Sequence, residues 1–355
     1  MRTVDLTIQD VAFGGKGVGR DGGKAVFVPF TIDGEKVSAQ IFREKKQFAE
    51  AELLAVSEPS PHRVEPQCPY FGRCGGCAYQ QIDYEHQLGI KWRQVRDILK
   101  RIGKIAEPPM RPMVPSPIAY GYRNRITVHV MGGVIGFFRR ESNRLVDVEQ
   151  CPISSDEVNR DLRQLRASAP RDGHYTLRAT NGARVFSQTN DAVAQKLGDI
   201  VVSMVPPDQN MLVDAYCGSG FFAKALLEKF EQVIGIDWDR FAIEEANKDA
   251  TPKETYIAGN VEEELGKMQA QPLGSTAVTV IVDPPATGLT KGICQSINKL
   301  SPNTLIYVSC NPATLARDIR DLGQTFAVNS ITPLDMFPQT AEIEVVAHLT
   351  RSSGG

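Results

Sequence analysis

Three of the seven cysteines of this chain fall within ten residues, CPYFGRCGGC at 68–77, as Cys68, Cys74 and Cys77, and a fourth, Cys151, follows far downstream in VEQCPI. A disulfide framework belongs to short secreted chains. In 355 residues that open with MRTVDLTIQD, without a basic-then-apolar leader, thiolate ligands of a metal or a cluster are the better reading. The spacing C-x5-C-x2-C plus one remote cysteine also suits a zinc site with four thiolates, although paired C-x-x-C knuckles are the commoner zinc pattern.

A second set of residues lies in the carboxyl-terminal half. Asp214-Ala-Tyr216-Cys-Gly218-Ser-Gly220 follows an apolar run, and Asp237 ends the next run, 23 residues after Asp214. A glycine turn at Gly218 and a carboxylate at Asp237 fit a nucleoside ligand, held by backbone at the turn and by its ribose hydroxyls at the acid. The stretch from Gly218 to Ala223 also satisfies G-x-G-x-x-A, so a dinucleotide and S-adenosylmethionine stay open on this evidence alone. Two later motifs separate them. Asp283-Pro284-Pro285 and Ser309-Cys310-Asn311-Pro312 each close an apolar run, which sets a carboxylate and a thiol at the ligand edge, where hydride transfer needs neither. Methylation of an exocyclic amine would use Asp-Pro-Pro followed by an aromatic residue, and this chain has Ala286 there.

The thiol points to covalent catalysis on a base. Carbon 5 of uracil is a poor nucleophile, so an enzyme methylating it first adds a thiolate at carbon 6; the resulting enolate attacks the methyl sulfonium, and a base then removes the carbon 5 proton. MFPQTAEIE at 336–344 offers two carboxylates, Glu342 and Glu344. Against this, Cys310 read alone is as well a small buried hydrophobe, and either glutamate a surface carboxylate.

These residues need elements to hold them. Composition is that of an ordinary globular protein, 42% apolar and 23% charged. The longest apolar runs, such as AVTVIV, fall far short of the roughly 20 residues of a membrane span, which predicts a cytoplasmic chain without membrane contact. The net charge of −2 hides an asymmetry: residues 67–205 carry 20 Lys and Arg against 13 Asp and Glu, whereas residues 206–355 carry 11 against 19. A basic middle suits a polyanion, with Arg160, Arg163 and Arg166 on one helix face. Period-two alternation between glycine-rich turns predicts a small five-strand β-barrel over residues 1–57, with Gly14–Gly19 a plain hairpin loop. After a proline-rich linker, Leu88, Trp92, Val95, Leu99 and Ile102 mark one helix face, and strands with a Gly132-Gly133 turn fill 119–150. From about residue 206, strands and helices alternate. The whole reads as a multidomain α/β chain: a β-barrel at 1–57, a central α+β domain at 58–205 and a doubly wound, Rossmann-like domain at 206–355. Cys217 and Cys294 are assigned to packing.

In this order, CPYFGRCGGC with Cys151, FSQTN, DAYCGSG, GID, GN, DPP, SCNP and MFPQTAEIE, the whole chain resembles the RNA uracil-5 methyltransferases, those with a TRAM-type (OB-like) barrel and a [4Fe-4S] cluster. The resemblance implies that Cys68, Cys74, Cys77 and Cys151 hold the cluster in the central domain. It implies an S-adenosylmethionine site at Gln188, Tyr216, Asp237, Asn260 and Asp283, with Cys310 as nucleophile and Glu344 as base. Structured RNA is the implied partner, 23S ribosomal RNA first and the T-loop uridine of transfer RNA second, and the chain is expected to be a monomer. It departs from the family pattern at Phe221, Ala286, Gln339 and Glu342. The alternatives are an RNA cytosine-5 methyltransferase, which would carry a second cysteine at the position of Ala286, and a non-catalytic RNA-binding protein with an inert Cys310.

Overall fold

A computed structural model describes residues 2–179, 188–268 and 277–352. By their contacts they form two compact units, one of residues 1–94, 117–182 and 337–342, the other of residues 95–116, 183–336 and 343–355.

The first unit opens with six strands: β1 (Arg2–Thr7), β2 (Asp10–Val11), β3 (Lys16–Asp21), β4 (Lys24–Pro29), β5 (Lys36–Glu44) and β6 (Phe48–Glu58). Five strands were expected; the sixth, β2, has two residues and is too short for alternation to mark it. Their order is β1-β5-β6-β4-β3-β2, and alternate residues such as Val4, Leu6, Val26, Val28 and Val37 form one core. The sheet curls on itself: a side chain at Gly19 of β3 would meet Leu6 of β1 at 3.0 Å. Of the hairpin loop expected at 14–19, only Gly14 and Gly15, at positive φ, turn the chain; residues 16–19 belong to β3, where glycine lets the neighbouring strand approach closely.

The helix α1 (Tyr84–Arg101) follows. Val95 and Leu99 are fully buried as expected, but so are Gln87 and Lys91, which apolar spacing does not reveal. The next elements are β7 (Arg125–Met131), β8 (Val134–Phe138), β9 (Leu145–Asp147), α2 (Asp156–Ala167) and β10 (Gly173–Arg178). The strands make an antiparallel sheet in the order β10-β7-β8-β9, with Gly132 and Gly133 at positive φ in the β7–β8 turn. Val158 and Leu162 of α2 pack on Ile126, Val128, Val130 and Ile135, so one face of the sheet is core.

The second unit continues with α3 (Asp191–Met204), β11 (Gln209–Ala215), α4 (Phe221–Leu226), β12 (Phe230–Asp237), α5 (Arg240–Asn247), β13 (Glu254–Ala258) and α6 (Val261–Met268). It ends with β14 (Val278–Val282), α7 (Lys291–Leu300), β15 (Thr304–Ser309), α8 (Pro312–Leu322), β16 (Phe326–Leu334) and β17 (Glu344–Arg351). Seven strands run in the order β13-β12-β11-β14-β15-β17-β16. The first five are parallel, as expected for a doubly wound sheet, whereas β17 is antiparallel to both its neighbours. β14 is buried along its whole length, which is why it reads as an unbroken apolar run. Cys217 and Cys294 are buried, in keeping with packing roles.

Candidate active site at the carboxyl edge of the seven-stranded sheet

The turn after β11 is built by backbone. Tyr216 takes a positive φ of 68°, and the Tyr216 and Cys217 amides both donate to the Ile236 carbonyl of β12, at 2.8 and 3.1 Å. Gly220, at φ 87°, begins α4, and a side chain there would stand 2.8 Å from the Tyr256 hydroxyl. Only glycine meets both conditions. Asp237 closes the arrangement from β12, its Oδ2 accepting from the Gly218 amide at 2.8 Å and its Oδ1 from the Asp239 amide at 2.9 Å. Beside this turn opens a cleft of about 770 Å³ whose walls include Gln188, Tyr216, Gly218, Phe221, Lys224 and Asp283.

Four of the six expected cofactor residues, Gln188, Tyr216, Gly218 and Asp283, therefore line one cleft. Asp237 and Asn260 stand outside its wall. Asn260 caps α6, its Oδ1 accepting from the Glu262 and Glu263 amides at 2.9 and 3.3 Å. Phe186 and Ser187 of the FSQTN motif lie outside the described residues.

Carboxylates crowd this end of the sheet. Asp214 is wholly buried; its Oδ2 accepts from the Ala223 amide at 2.9 Å, and its Oδ1 has no hydrogen-bond partner. Burial, then the nearby Asp283 and Asp237, push the Asp214 carboxyl up to about 8. The Asp283 carboxyl is pushed up to about 7 by burial and by Asp237. Spacing in the sequence gives no sign that Asp214 would hold a proton near neutral pH.

Cys310 follows the last residue of β15. Ser309 pairs with Val345 of β17, and Glu344, the residue before Val345, opens β17 opposite Leu334. One step past the final Ser309–Val345 pair, Cys310 and Glu344 thus sit at the same end of two adjacent antiparallel strands. Glu344 is 3% exposed and Cys310 partly exposed, whereas Glu342 is exposed. The Cys310 turn is tied to the Asp-Pro-Pro turn: Asn311 Nδ2 and Thr314 Oγ1 both donate to the Ala286 carbonyl, at 3.1 and 3.2 Å. Asn311 also caps α8 with its Oδ1, and Pro312 occupies the first turn, where its missing amide hydrogen costs nothing. Ala286 thus acts through its backbone, and Asn311 is a positioning residue that motif reading left unassigned.

The four cysteines Cys68, Cys74, Cys77 and Cys151 gather in the first unit, each pair close enough that one thiolate would disfavour another. Burial, more than this repulsion, raises the thiols of Cys68 and Cys74 and pushes that of Cys77 up to about 12. Buried Gln80 accepts from the Cys68 amide through Oε1 at 3.1 Å, and its side chain lies beside the Cys68 and Cys77 thiols, partly opposing their rise. Tyr120 reaches the same Oε1 at 3.5 Å. Among the described residues, no three His, Cys, Asp or Glu side chains converge as ligands of one metal ion. A tetrahedral zinc site would need sulfurs about 3.8 Å apart. What the structure shows is a cysteine pocket, not a formed metal centre.

On the helix face with the three expected RNA-binding arginines, Arg160 and Arg163 are exposed. Arg166 is not available in the same way. Its guanidinium forms a bidentate pair with Asp147, at 2.7 and 3.1 Å, and also donates to the Ile135 and Val148 carbonyls.

Comparison with known proteins agrees with this geometry. Residues 157–352 match the family described as tRNA (uracil-5-)-methyltransferase, and residues 1–54 match the TRAM domain. An uncharacterized RNA methyltransferase of Bdellovibrio bacteriovorus is 31% identical over 98% of this chain and 94% of its own. The tRNA (uracil(54)-C(5))-methyltransferase of Schizosaccharomyces pombe is 29% identical over 98% of this chain and 78% of its own. The crystal structure of Pyrococcus abyssi tRNA (uracil-54, C5)-methyltransferase with S-adenosyl-L-homocysteine superposes with a TM-score of 0.74 at 23% identity, covering 98% of this chain and 100% of that one.

Proposed function

Because this chain belongs to the tRNA (uracil-5-)-methyltransferase family and is an S-adenosylmethionine-dependent RNA uracil-5 methyltransferase, we propose that it works through a covalent adduct on Cys310, with Glu344 as the base. The observation that supports this reading is the β15–β17 ladder, whose last pair, Ser309–Val345, stands one step before Cys310 and Glu344. Cys310 adds as thiolate to carbon 6 of the uracil. Only a few per cent of an ordinary thiol, of pKa about 8.5, is ionised at neutral pH, but thiolate is nucleophilic enough for that fraction to react. The electron pair displaced from the double bond forms an enolate whose carbon 5 takes the methyl group. Glu344 accepts the carbon 5 proton; the double bond re-forms and the carbon–sulfur bond breaks, freeing the thiolate. S-adenosylmethionine, when bound, supplies the methyl group as a sulfonium. Gln188, Tyr216, Gly218 and Asp283 fit its place, since the cleft pairs a backbone turn with a carboxylate suited to a cationic ligand.

The substrate uridine belongs to structured RNA. The sequence alone favoured 23S ribosomal RNA; a relative with a named target acts on uracil 54 of tRNA, and this shifts the preference to a tRNA uridine. The four cysteines suit a [4Fe-4S] cluster: all four are mutual neighbours, and buried Gln80, beside the Cys68 and Cys77 thiols, carries an N–H donor of the kind that bonds cluster sulfurs. The chain is taken to act as a monomer.

The test is Glu344→Gln. Addition and methyl transfer proceed, the carbon 5 proton stays, and a protein–RNA adduct carrying labelled methyl survives denaturing electrophoresis. Cys310→Ala abolishes that adduct, alone or combined with Glu344→Gln. If Glu342→Gln traps it while Glu344→Gln turns over normally, the base is Glu342.

A further inference from the structure

β14 and β15 deliver the two halves of the site, Asp283 at the cofactor cleft and Cys310 after Ser309, yet the ladder between these strands stops at the pair Val282–Tyr307. Sheet pairing between them therefore reaches neither residue. What joins the two exits is α8, through side chains on its successive turns. Asn311 and Thr314 hold the Ala286 carbonyl. One turn further, Arg317 Nη2 donates to the Thr287 and Leu289 carbonyls, at 2.9 and 3.1 Å. Asp318 completes the grip: its Oδ2 accepts from the Leu289 amide and from the Tyr307 hydroxyl, both at 2.7 Å, while its Oδ1 accepts from Arg317 Nε at 2.7 Å.

The loop at 286–289 is fitted to this pair. Gly288 has a φ of 73°, and a side chain there would stand 2.5 Å from Asp318 Oδ2 and 2.6 Å from Arg317 Nη2. Asp318 is fully buried and has a donor on each oxygen, so its charge is answered in place. The chemistry calls for such rigidity. The methyl group arrives at carbon 5 while sulfur is bonded to carbon 6, adjacent atoms of one ring, so donor and nucleophile need a fixed separation; a misplacement of about 1 Å can cost about a hundredfold in rate. We propose that Arg317 and Asp318 are positioning residues for methyl transfer, which lock the loop at 286–289 to α8 and so hold Asp283 in a fixed place relative to Cys310. The proposal rests on the reading of Cys310 as the nucleophile and adds the part of the fold that sets the methyl donor against the thiol.

The experiment separates two partial reactions of the full chain on RNA tritiated at carbon 5 of uridine. Without S-adenosylmethionine, thiolate addition lets carbon 5 of the enolate take a solvent proton. Loss of the tritium to the base and expulsion of the thiolate then release label to water, a measure of addition and elimination that is independent of the donor. With S-adenosylmethionine, single-turnover transfer of labelled methyl reports the aligned site. Arg317→Lys keeps a cation beside Asp318 but loses the fork that spans two carbonyls. It should slow methyl transfer about tenfold or more and leave tritium release and the thermal midpoint as in the parent. Gly288→Ala, which forces the loop away from the same pair, should give the same split, and its result decides the matter if Arg317→Lys does not fold. Equal losses of tritium release and methyl transfer, or an unchanged rate of methyl transfer, overturn the proposal, since the pair then serves only the fold. The parent chain tests the underlying reading separately. Tritium release that is absent from the parent, or kept by Cys310→Ala, overturns the Cys310 mechanism itself; release and methyl transfer by the parent, with variants that match it, overturn this proposal alone.

Discussion

At the scale of single residues, the carboxyl end of the seven-stranded sheet concentrates acids that do not all ionise. Asp214, buried with an unpartnered Oδ1, holds its proton up to about pH 8, whereas in the unfolded chain an aspartate releases it near pH 3.9. Between those values Asp214 binds more proton in the folded chain than in the unfolded one, so its contribution to stability is full below about pH 4 and is lost as pH rises towards 8. Asp214→Asn keeps an oxygen for the Ala223 amide and has nothing to titrate. Its unfolding free energy, from denaturant titrations at a series of pH values, should decline less between pH 4 and 8 than that of the parent. An identical slope in both proteins would mean that Asp214 is ionised throughout.

At the scale of elements, α2 shows how one arginine row divides into two kinds of residue. Asp147 accepts a bidentate pair from Arg166, which holds its carboxyl below the usual range and pins the helix to β9. Arg163 and Arg166 meet Tyr70 and Glu149 around a cleft of about 630 Å³, but only Arg160 and Arg163 extend into solvent. Replacing Arg160 and Arg163 by Gln should flatten the salt dependence of RNA binding, each lost phosphate contact lowering the slope by about one, with the thermal midpoint unchanged. Arg166→Gln should do the reverse, lowering the midpoint by a few degrees and leaving the slope intact. Isothermal binding at several salt concentrations beside thermal melts separates the two. Equal effects on the slope from all three would restore the simpler picture of one RNA-binding face.

At the scale of the whole molecule, segments distant in sequence share a single setting. Cys151 stands 74 residues after Cys77 and yet neighbours it. If the proposed cluster is held there, Cys151→Ser should lose iron as completely as Cys74→Ser, because a four-thiolate cluster missing any one ligand is exposed to loss. Protein prepared without oxygen should be brown with about four irons per chain; colourless protein with stoichiometric zinc would exclude the cluster. The segment Phe337–Glu342 is likewise gathered in from afar. The Gln339 carbonyl accepts from the Ala78 and Tyr79 amides, both at 3.0 Å, and its side chain exchanges hydrogen bonds with buried Gln87.

The sequence by itself determined the elements and the chemical alphabet of this protein. Period-two alternation marked all but the shortest strand of the first 57 residues, and strand–helix alternation marked four parallel strands of the seven-stranded sheet, with a carboxylate and a thiol closing two of them, because local spacing directly reflects which side chains must face a core or a ligand. Partner choice was beyond it. The reversal of β17, which brings Glu344 level with Cys310, depends on pairing between segments far apart in the chain. So do the pairing of Arg166 with Asp147 and the protonation of Asp214. Each follows from distance, burial and local dielectric, quantities that come into existence only when the chain has folded.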